Sequence, residues 1–296
     1  MGRRFYKLSG SGNDFVFLDA RHEPAGELES TDAIRAICAR GTGVGADGLV
    51  VLEKGPGGDE GDVRIRYYNT DGSHAAMCGN ATLCTANLAV RLGAVQADGF
   101  TIGTDAGVVQ ARIRDGLPEF DLPPVEDAVA AWSAEAPVRG ELRLGYATVG
   151  NPHVIVRVSD VERVDVEGRG RLLRHARALP AGANINFVGA GADGVWRIRT
   201  YERGVEGETL ACGTGTAATA LMLASWGEAV DEVALQTRSG RVLTVRLARL
   251  GDAWLPSLRG EGRLVFTGQF DDLGRASADP KAAAGSRRSA LSGAAS

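Results

Sequence analysis

Arg64-Ile65-Arg66-Tyr67-Tyr68-Asn69, then Asp71-Gly72, then Cys78-Gly79-Asn80-Ala81-Thr82, decides the reading of this chain, because the pattern occurs twice. The second copy runs Arg197-Ile198-Arg199-Thr200-Tyr201-Glu202-Arg203-Gly204 and then Cys212-Gly213-Thr214-Gly215-Thr216. Thr219-Ala220 stands after it where Thr85-Ala86 follows the first. The Arg-Ile-Arg elements lie 133 residues apart (64 to 197) and the cysteines 134 (78 to 212), so one residue has been gained between them. Such a repeat marks a duplicated half-fold that presents one thiol per half.

Working outward, both copies predict a strand, a polar turn and a helix. The first helix runs from Ala81 to Leu92 and stops at Gly93; the second runs from Thr216 to Trp226 and stops at Gly227. Further helices are expected at Thr31 to Arg40, behind a Ser30 or Thr31 cap, and at Leu172 to Ala178. Strand patterns outnumber helices. The expected fold is α+β: two similar pseudo-symmetric halves, each a mixed sheet wrapped around a central helix, with the active site in the cleft between them. The halves are expected at 1–120 and 121–263, with a final strand near 264–272 returning to the first half. A tail at 273–296, rich in Ala, Ser, Gly and charge, is expected to be disordered.

Bulk properties exclude several classes. At 296 residues, 44% hydrophobic and 24% charged, the chain has ordinary globular composition and room for two domains. A net charge of −4 argues against a nucleic-acid partner, which calls for a basic cluster. No apolar run approaches membrane-spanning length, and Met1 to Phe5 does not open a secretory segment. Four cysteines (Cys38, Cys78, Cys84, Cys212) make no disulfide scaffold in a chain this long, so a cytoplasmic setting with reduced thiols is expected.

The paired thiols carry the chemistry. A cysteine at a helix N-terminus feels the positive end of the dipole, which favours the thiolate. The free N–H groups of that turn also suit a carboxylate. Two such helices aimed at one cleft would hold a carboxylate with a thiol on either side, an arrangement fit for proton exchange at the adjacent carbon. Cys38 and Cys84 read as small buried hydrophobes. No metal is expected: Cys78 and Cys84 lack a CxxC spacing, and His22, His74, His153 and His175 are scattered. A structural Cys78–Cys212 disulfide is not expected in the cytosol. Nor is a cofactor expected. The three lysines, Lys7, Lys54 and Lys281, sit in no Schiff-base context, and there is no Walker A or Rossmann motif.

Six ordered blocks resemble the diaminopimelate epimerase family. These are Ser11-Gly12-Asn13-Asp14-Phe15, Gly43 to Leu49, Tyr68 to Asn80 with Cys78, Gly150-Asn151-Pro152-His153, Ala183-Asn184-Ile185, and Tyr201 to Gly215 with Cys212. The resemblance runs to about Gln269. It implies a cofactor-independent epimerase of LL- and meso-diaminopimelate in lysine and peptidoglycan precursor synthesis, and a homodimer. Cys78 and Cys212 would be the acid/base pair. The N–H groups of Gly79, Asn80, Gly213 and Thr214 would hold the reacting carboxylate. Asn13, Asn69, Asn151, Asn184 and Arg203 would bind the distal amino-acid end, Glu202 would accept from the reacting ammonium, and His153 would line the site. The chain departs from the family at Ala81-Thr82-Leu83, where Gly-x-Arg is usual, and in a second block one residue longer at Val205-Glu206-Gly207. A racemase of a proline, hydroxyproline or histidine type of substrate is the alternative on the same fold. A thiol redox sensor is the alternative from another class.

Overall fold

The computed structural model describes residues 2–191 and 193–270. The tail expected at 273–296, and the end of the strand expected to reach 272, lie outside the described residues.

Two halves repeat one strand order. In the first, β1 (Arg3–Gly10) pairs antiparallel with β2 (Asn13–Asp19), which runs parallel to β3 (Gly48–Lys54). β3 pairs antiparallel with β4 (Val63–Asn69). β4 carries the short β5 (His74–Ala75) and the parallel β6 (Phe100–Thr104), which leads into the antiparallel β7 (Gly107–Arg114) and β8 (Leu117–Asp121).

The second half starts with β9 (Ala128–Val129), which pairs with β10 (Glu141–Val149). From there it retraces the pattern. β10 is antiparallel to β11 (Asn151–Val158), β11 is parallel to β12 (Asn184–Ala190), and β12 is antiparallel to β13 (Trp196–Glu202). β13 carries β14 (Gly207–Thr209) and the parallel β15 (Glu232–Gln236), followed by β16 (Val242–Leu250) and β17 (Ala253–Arg259). β18 (Arg263–Phe270) returns to pair with β1, as β9 pairs with β10. β8 and β17 pair antiparallel and join the halves.

Each sheet is covered on both faces, which explains the apolar runs Val16-Phe17-Leu18, Leu49 to Leu52 and Val154-Ile155-Val156 in its parallel-paired strands, all buried. The outer faces carry α1 (Thr31–Cys38) and α3 (Val166–Arg174). The inner faces enclose α2 (Gly79–Arg91) and α4 (Gly213–Ser225) in one continuous core. α4 is buried at every position from Gly215 to Leu223, so it has no solvent face. Its buried threonines are satisfied within the helix: Thr216 donates to the Cys212 carbonyl at 2.7 Å and Thr219 to that of Gly215 at 2.7 Å. Thr82 and Thr85 do the same in α2, to Cys78 at 3.0 Å and Ala81 at 2.8 Å.

Helix bounds depart from the sequence expectation for local reasons. α1 stops at Cys38, not Arg40, because the chain turns back and the Gly43 and Gly45 N–H groups donate to the Ala39 and Ile37 carbonyls. α3 begins at Val166, six residues earlier than expected, with Asp165 accepting from the Gly168 N–H at 2.9 Å. Glycine at 170 obscured it in the sequence. That glycine serves a close approach, since a Cβ there would stand 2.6 Å from the Tyr201 Cβ.

Ala81 and Leu83, where the chain departs from the family pattern, are fully buried in the inner core. A Cβ on Gly260 would stand 3.1 Å from the Leu83 Cδ1, so residue 83 is a core position. Leu83→Ala should therefore cost about 2–5 kcal/mol by opening a cavity. A lower urea midpoint with an unchanged m-value is the expected result.

Candidate active site

The cysteines are the N-caps of the two enclosed helices. Cys78 (φ −137, ψ 119) precedes α2 and Cys212 (φ −128, ψ 111) precedes α4, both in extended backbone. The helix starts meet. A Cβ on Gly79 would stand 3.9 Å from the Gly213 Cα, and a Cβ on Gly213 would stand 3.9 Å from the Gly79 Cα. The free N–H groups of two helix starts thus face one place.

That place is a cavity of about 780 Å³. Its wall includes Cys78, Gly79 and Asn80 from one helix start and Cys212, Gly213 and Thr214 from the other. Asn13, Asn69, Asn151 and Glu202 line it as well. Asn184 and His153 are buried behind the wall, and half-buried Arg203 is tied to Asn151 on it. Arg203 donates to the Asn151 Oδ1 at 2.8 Å and to the Ala181 carbonyl at 3.2 Å, and its backbone N–H donates to the Asn184 Oδ1 at 2.8 Å. His153 is fully buried; its Nδ1 lies 3.2 Å from the Asn186 Nδ2, which must donate, and Thr200 donates to the Asn186 Oδ1 at 3.0 Å. Burial, with the Arg203 charge adding, pushes the imidazole down to about 3, so it is neutral at physiological pH.

On the first-half side, an amide relay fixes the wall. Asn80 donates to the Asn13 Oδ1 at 2.7 Å, and Asn13 donates to Asp47 at 3.0 Å. Arg40 pairs with Asp47 at 2.7 Å and with Asp14 at 2.6 Å, while buried Lys7 pairs with Asp14 at 2.6 Å. An acceptor-only carboxylate at one end sets which end of the Asn13 amide is nitrogen. Asn69 donates to the Ser73 Oγ at 3.0 Å.

Electrostatics at the thiols differ from the sequence expectation of lowered values. Burial pushes Cys78 up to about 11, against backbone N–H groups of Ala81 and Asn80. Burial and the Glu202 charge push Cys212 up to about 12, against the Thr214 hydroxyl and the Gly215 N–H, which donates to Sγ at 3.4 Å. Desolvation of a thiolate outweighs the helix donors here. Glu202 itself is pushed up by burial, with the Thr209 hydroxyl opposing.

Sequence reasoning gave no role to Asp47, Tyr67 or Asn186. Asp47 lay inside a quoted block but among turn residues. Tyr67 was masked by Tyr68; strand alternation could have separated them, since Tyr67 lines the cavity with Asn69 while Tyr68 donates to Glu29 at 2.9 Å. The same alternation pairs Asn184 with Asn186.

Solved structures share the architecture. A Bacillus anthracis phenazine biosynthesis protein of the PhzF family matches with a TM-score of 0.70 at 16% identity, over 91% of this chain and 99% of that one. A probable proline racemase from Agrobacterium radiobacter matches with a TM-score of 0.62 at 18% identity, over 90% and 92%. The chain thus has the duplicated fold of the PhzF proteins and proline racemases. Within it, the family model for diaminopimelate epimerase matches residues 5–121 and 145–248. The diaminopimelate epimerase of Gemmatimonas aurantiaca is 47% identical over 279 residues, 91% of this chain and 99% of that protein. The chain belongs to the diaminopimelate epimerase family.

Because burial raises both thiols, iodoacetamide labelling of Cys78 and Cys212 should keep rising with pH past 9, where an ordinary thiol near 8.5 is levelling off. Peptide mass spectrometry across pH 6–10.5 reads this, and a plateau by about pH 8 would contradict it.

Proposed function

We propose that this protein is a cofactor-independent isomerase that interconverts LL- and meso-diaminopimelate by proton transfer between Cys78 and Cys212. One observation carries the reading: two thiols cap two helices whose starts meet in a single cavity. The N–H groups of Gly79, Asn80, Gly213 and Thr214 hold the reacting carboxylate, so the α-carbon sits between the sulfurs. One sulfur, as thiolate, takes the α-proton while the other, as thiol, gives a proton to the opposite face. Reversal of direction exchanges the roles, and no redox group takes part.

The raised thiols fit this scheme. A thiolate in a buried site needs a cation beside it. The substrate ammonium supplies that cation, with Glu202 accepting from it. The distal end lies among Asn13, Asn69 and Asn151, backed by Asn184 and Arg203, whose guanidinium orients the Asn151 amide. His153, neutral and enclosed, supports the wall without titrating. Lysine and peptidoglycan precursor synthesis, a cytoplasmic setting and a homodimer accompany the family reading.

A substrate of another type, such as proline or hydroxyproline, is the second reading on this fold. The departures Ala81 and Leu83 would have favoured it, but both face the core and neither lines the cavity. The wall keeps Asn13, Asn69 and Asn151, fit for a second amino-acid head group.

Proton NMR of LL-diaminopimelate with reduced protein in D2O tests the reading. The α-proton signal should vanish as the meso form appears. Cys78→Ala and Cys212→Ala should each slow turnover by about 10²–10⁴-fold, the usual share of a positioned acid or base. Wild-type rates in both variants would sink the mechanism, and wild-type protein inert toward diaminopimelate would sink the substrate.

A further inference from the structure

We propose that Tyr67 is a substrate-binding residue whose hydroxyl donates a hydrogen bond to a carboxylate of the ligand. The proposal rests on the function argued above and adds a contact to it.

Tyr67 lies on β4, two residues before Asn69 and on the same face, and both line the cavity. Its ring packs edge-on against Phe15, centroids 6.0 Å apart at 79°, which fixes the hydroxyl's direction. No described residue hydrogen-bonds to that hydroxyl. Room for the ring comes from Gly48 on the neighbouring strand. A Cβ at 48 would stand 2.5 Å from the Tyr67 Cε2, 2.7 Å from the Tyr68 carbonyl oxygen and 3.0 Å from the Tyr67 hydroxyl oxygen. Positive φ does not demand this glycine; the Tyr67 ring and the Tyr68 carbonyl both press on it.

The duplicated half fills the same space differently. Strand register places Val50 opposite Tyr67 and Asn186 opposite Thr200, so Tyr67 corresponds to Thr200 and Gly48 to Asn184. The second half puts a large polar residue on β12 and a small one on β13. The first half reverses this, with nothing on β3 and a long polar residue on β4. Tyr67 thereby brings a polar head to the first-half wall, as Asn184 does behind the second.

Charge decides which ligand group it takes. Among the described residues the cavity wall holds Asp47 and Glu202 and no Lys, Arg or His. A ligand carboxylate must therefore be met by neutral donors, and the Tyr67 hydroxyl is one. Burial, with the charges of Cys78 and Asp47 adding, holds the phenol well above its ordinary range, so it stays protonated and donates.

Tyr67→Phe removes the hydroxyl and leaves the ring. Its melting temperature should match wild type, since no protein hydrogen bond is lost. KM for LL-diaminopimelate should rise about 10- to 100-fold with kcat nearly unchanged, as for loss of a hydrogen bond to a charged group made equally in ground and transition states. L-lysine, which keeps both ammonium groups and lacks one carboxylate, serves as a competitive inhibitor to locate the contact. A lysine inhibition constant that worsens in parallel assigns the hydroxyl to the reacting carboxylate; one that is unchanged assigns it to the distal carboxylate. KM and the lysine constant both within two-fold of wild type would overturn the proposal, as would a loss confined to kcat. Wild-type turnover, measured alongside, separates this outcome from failure of the substrate assignment.

Discussion

Two buried helix starts facing each other are the constraint on which this structure depends. Each helix leaves its first N–H groups without intrahelical acceptors, and burying them without partners is costly. Here the starts of α2 and α4 meet across Gly79 and Gly213 at the centre of the molecule. The cavity wall must then be polar and precisely built, and the sheets must enclose it from both sides. The same donors that would be a liability in a sealed core become a seat for an anion. Space for side chains is short around the second start: at Gly213 a Cβ would stand 3.0 Å from the Leu258 Cδ2. At Gly215, a Cβ would stand 2.3 Å from the Asn186 Oδ1.

Burial also governs the thiols. Helix dipole and N–H donors favour a thiolate by amounts that matter at a surface, but Cys212 is buried, Cys78 half-buried, and Glu202 raises both. The pair therefore rests protonated, and reactivity depends on what the ligand brings with it. This separates storage from use. A resting thiol of high pKa is a poor nucleophile toward stray electrophiles. On the proposed function, the substrate ammonium beside Glu202 changes that balance only when it is bound.

Much of this was legible in the sequence, because the repeat carries it. Arg-Ile-Arg and Cys-Gly at matched spacing located β4, β13, α2 and α4, and the apolar runs located the strands buried on both faces. What escaped was set by tertiary contact. α3 contains Gly168 and Gly170, which read as breakers, yet Gly170 is needed where Tyr201 presses on the helix. The thiols' electrostatics depended on enclosure, which no local pattern reports. Asp47 looked like turn chemistry until the fold brought Asn13 and Arg40 to it. Asn184, Arg203 and His153 were legible as a group, but the burial of Asn184 and His153 was not, since that follows from the pairing of β11 with β12.

Duplication poses a problem that the wall residues solve. Two identical halves would make a cavity with no preferred orientation, and a ligand with an amino-acid group at each end would bind equally well reversed. The register shows where the halves have diverged: Phe15 against His153, Gly48 against Asn184, Tyr67 against Thr200. The rim differs too. The Ser239 and Ala106 backbone N–H groups make equivalent bonds, to Leu210 at 3.0 Å and Ala76 at 3.2 Å, each carbonyl two residues before a cysteine. Only Ser239 has a hydroxyl, and it donates across to the Ser11 carbonyl of the other half at 2.9 Å. Symmetry is thus kept at the helix starts, where on the proposed function the two faces of one carbon must be treated alike. It is broken at the walls and the rim, where the rest of the ligand must be told apart.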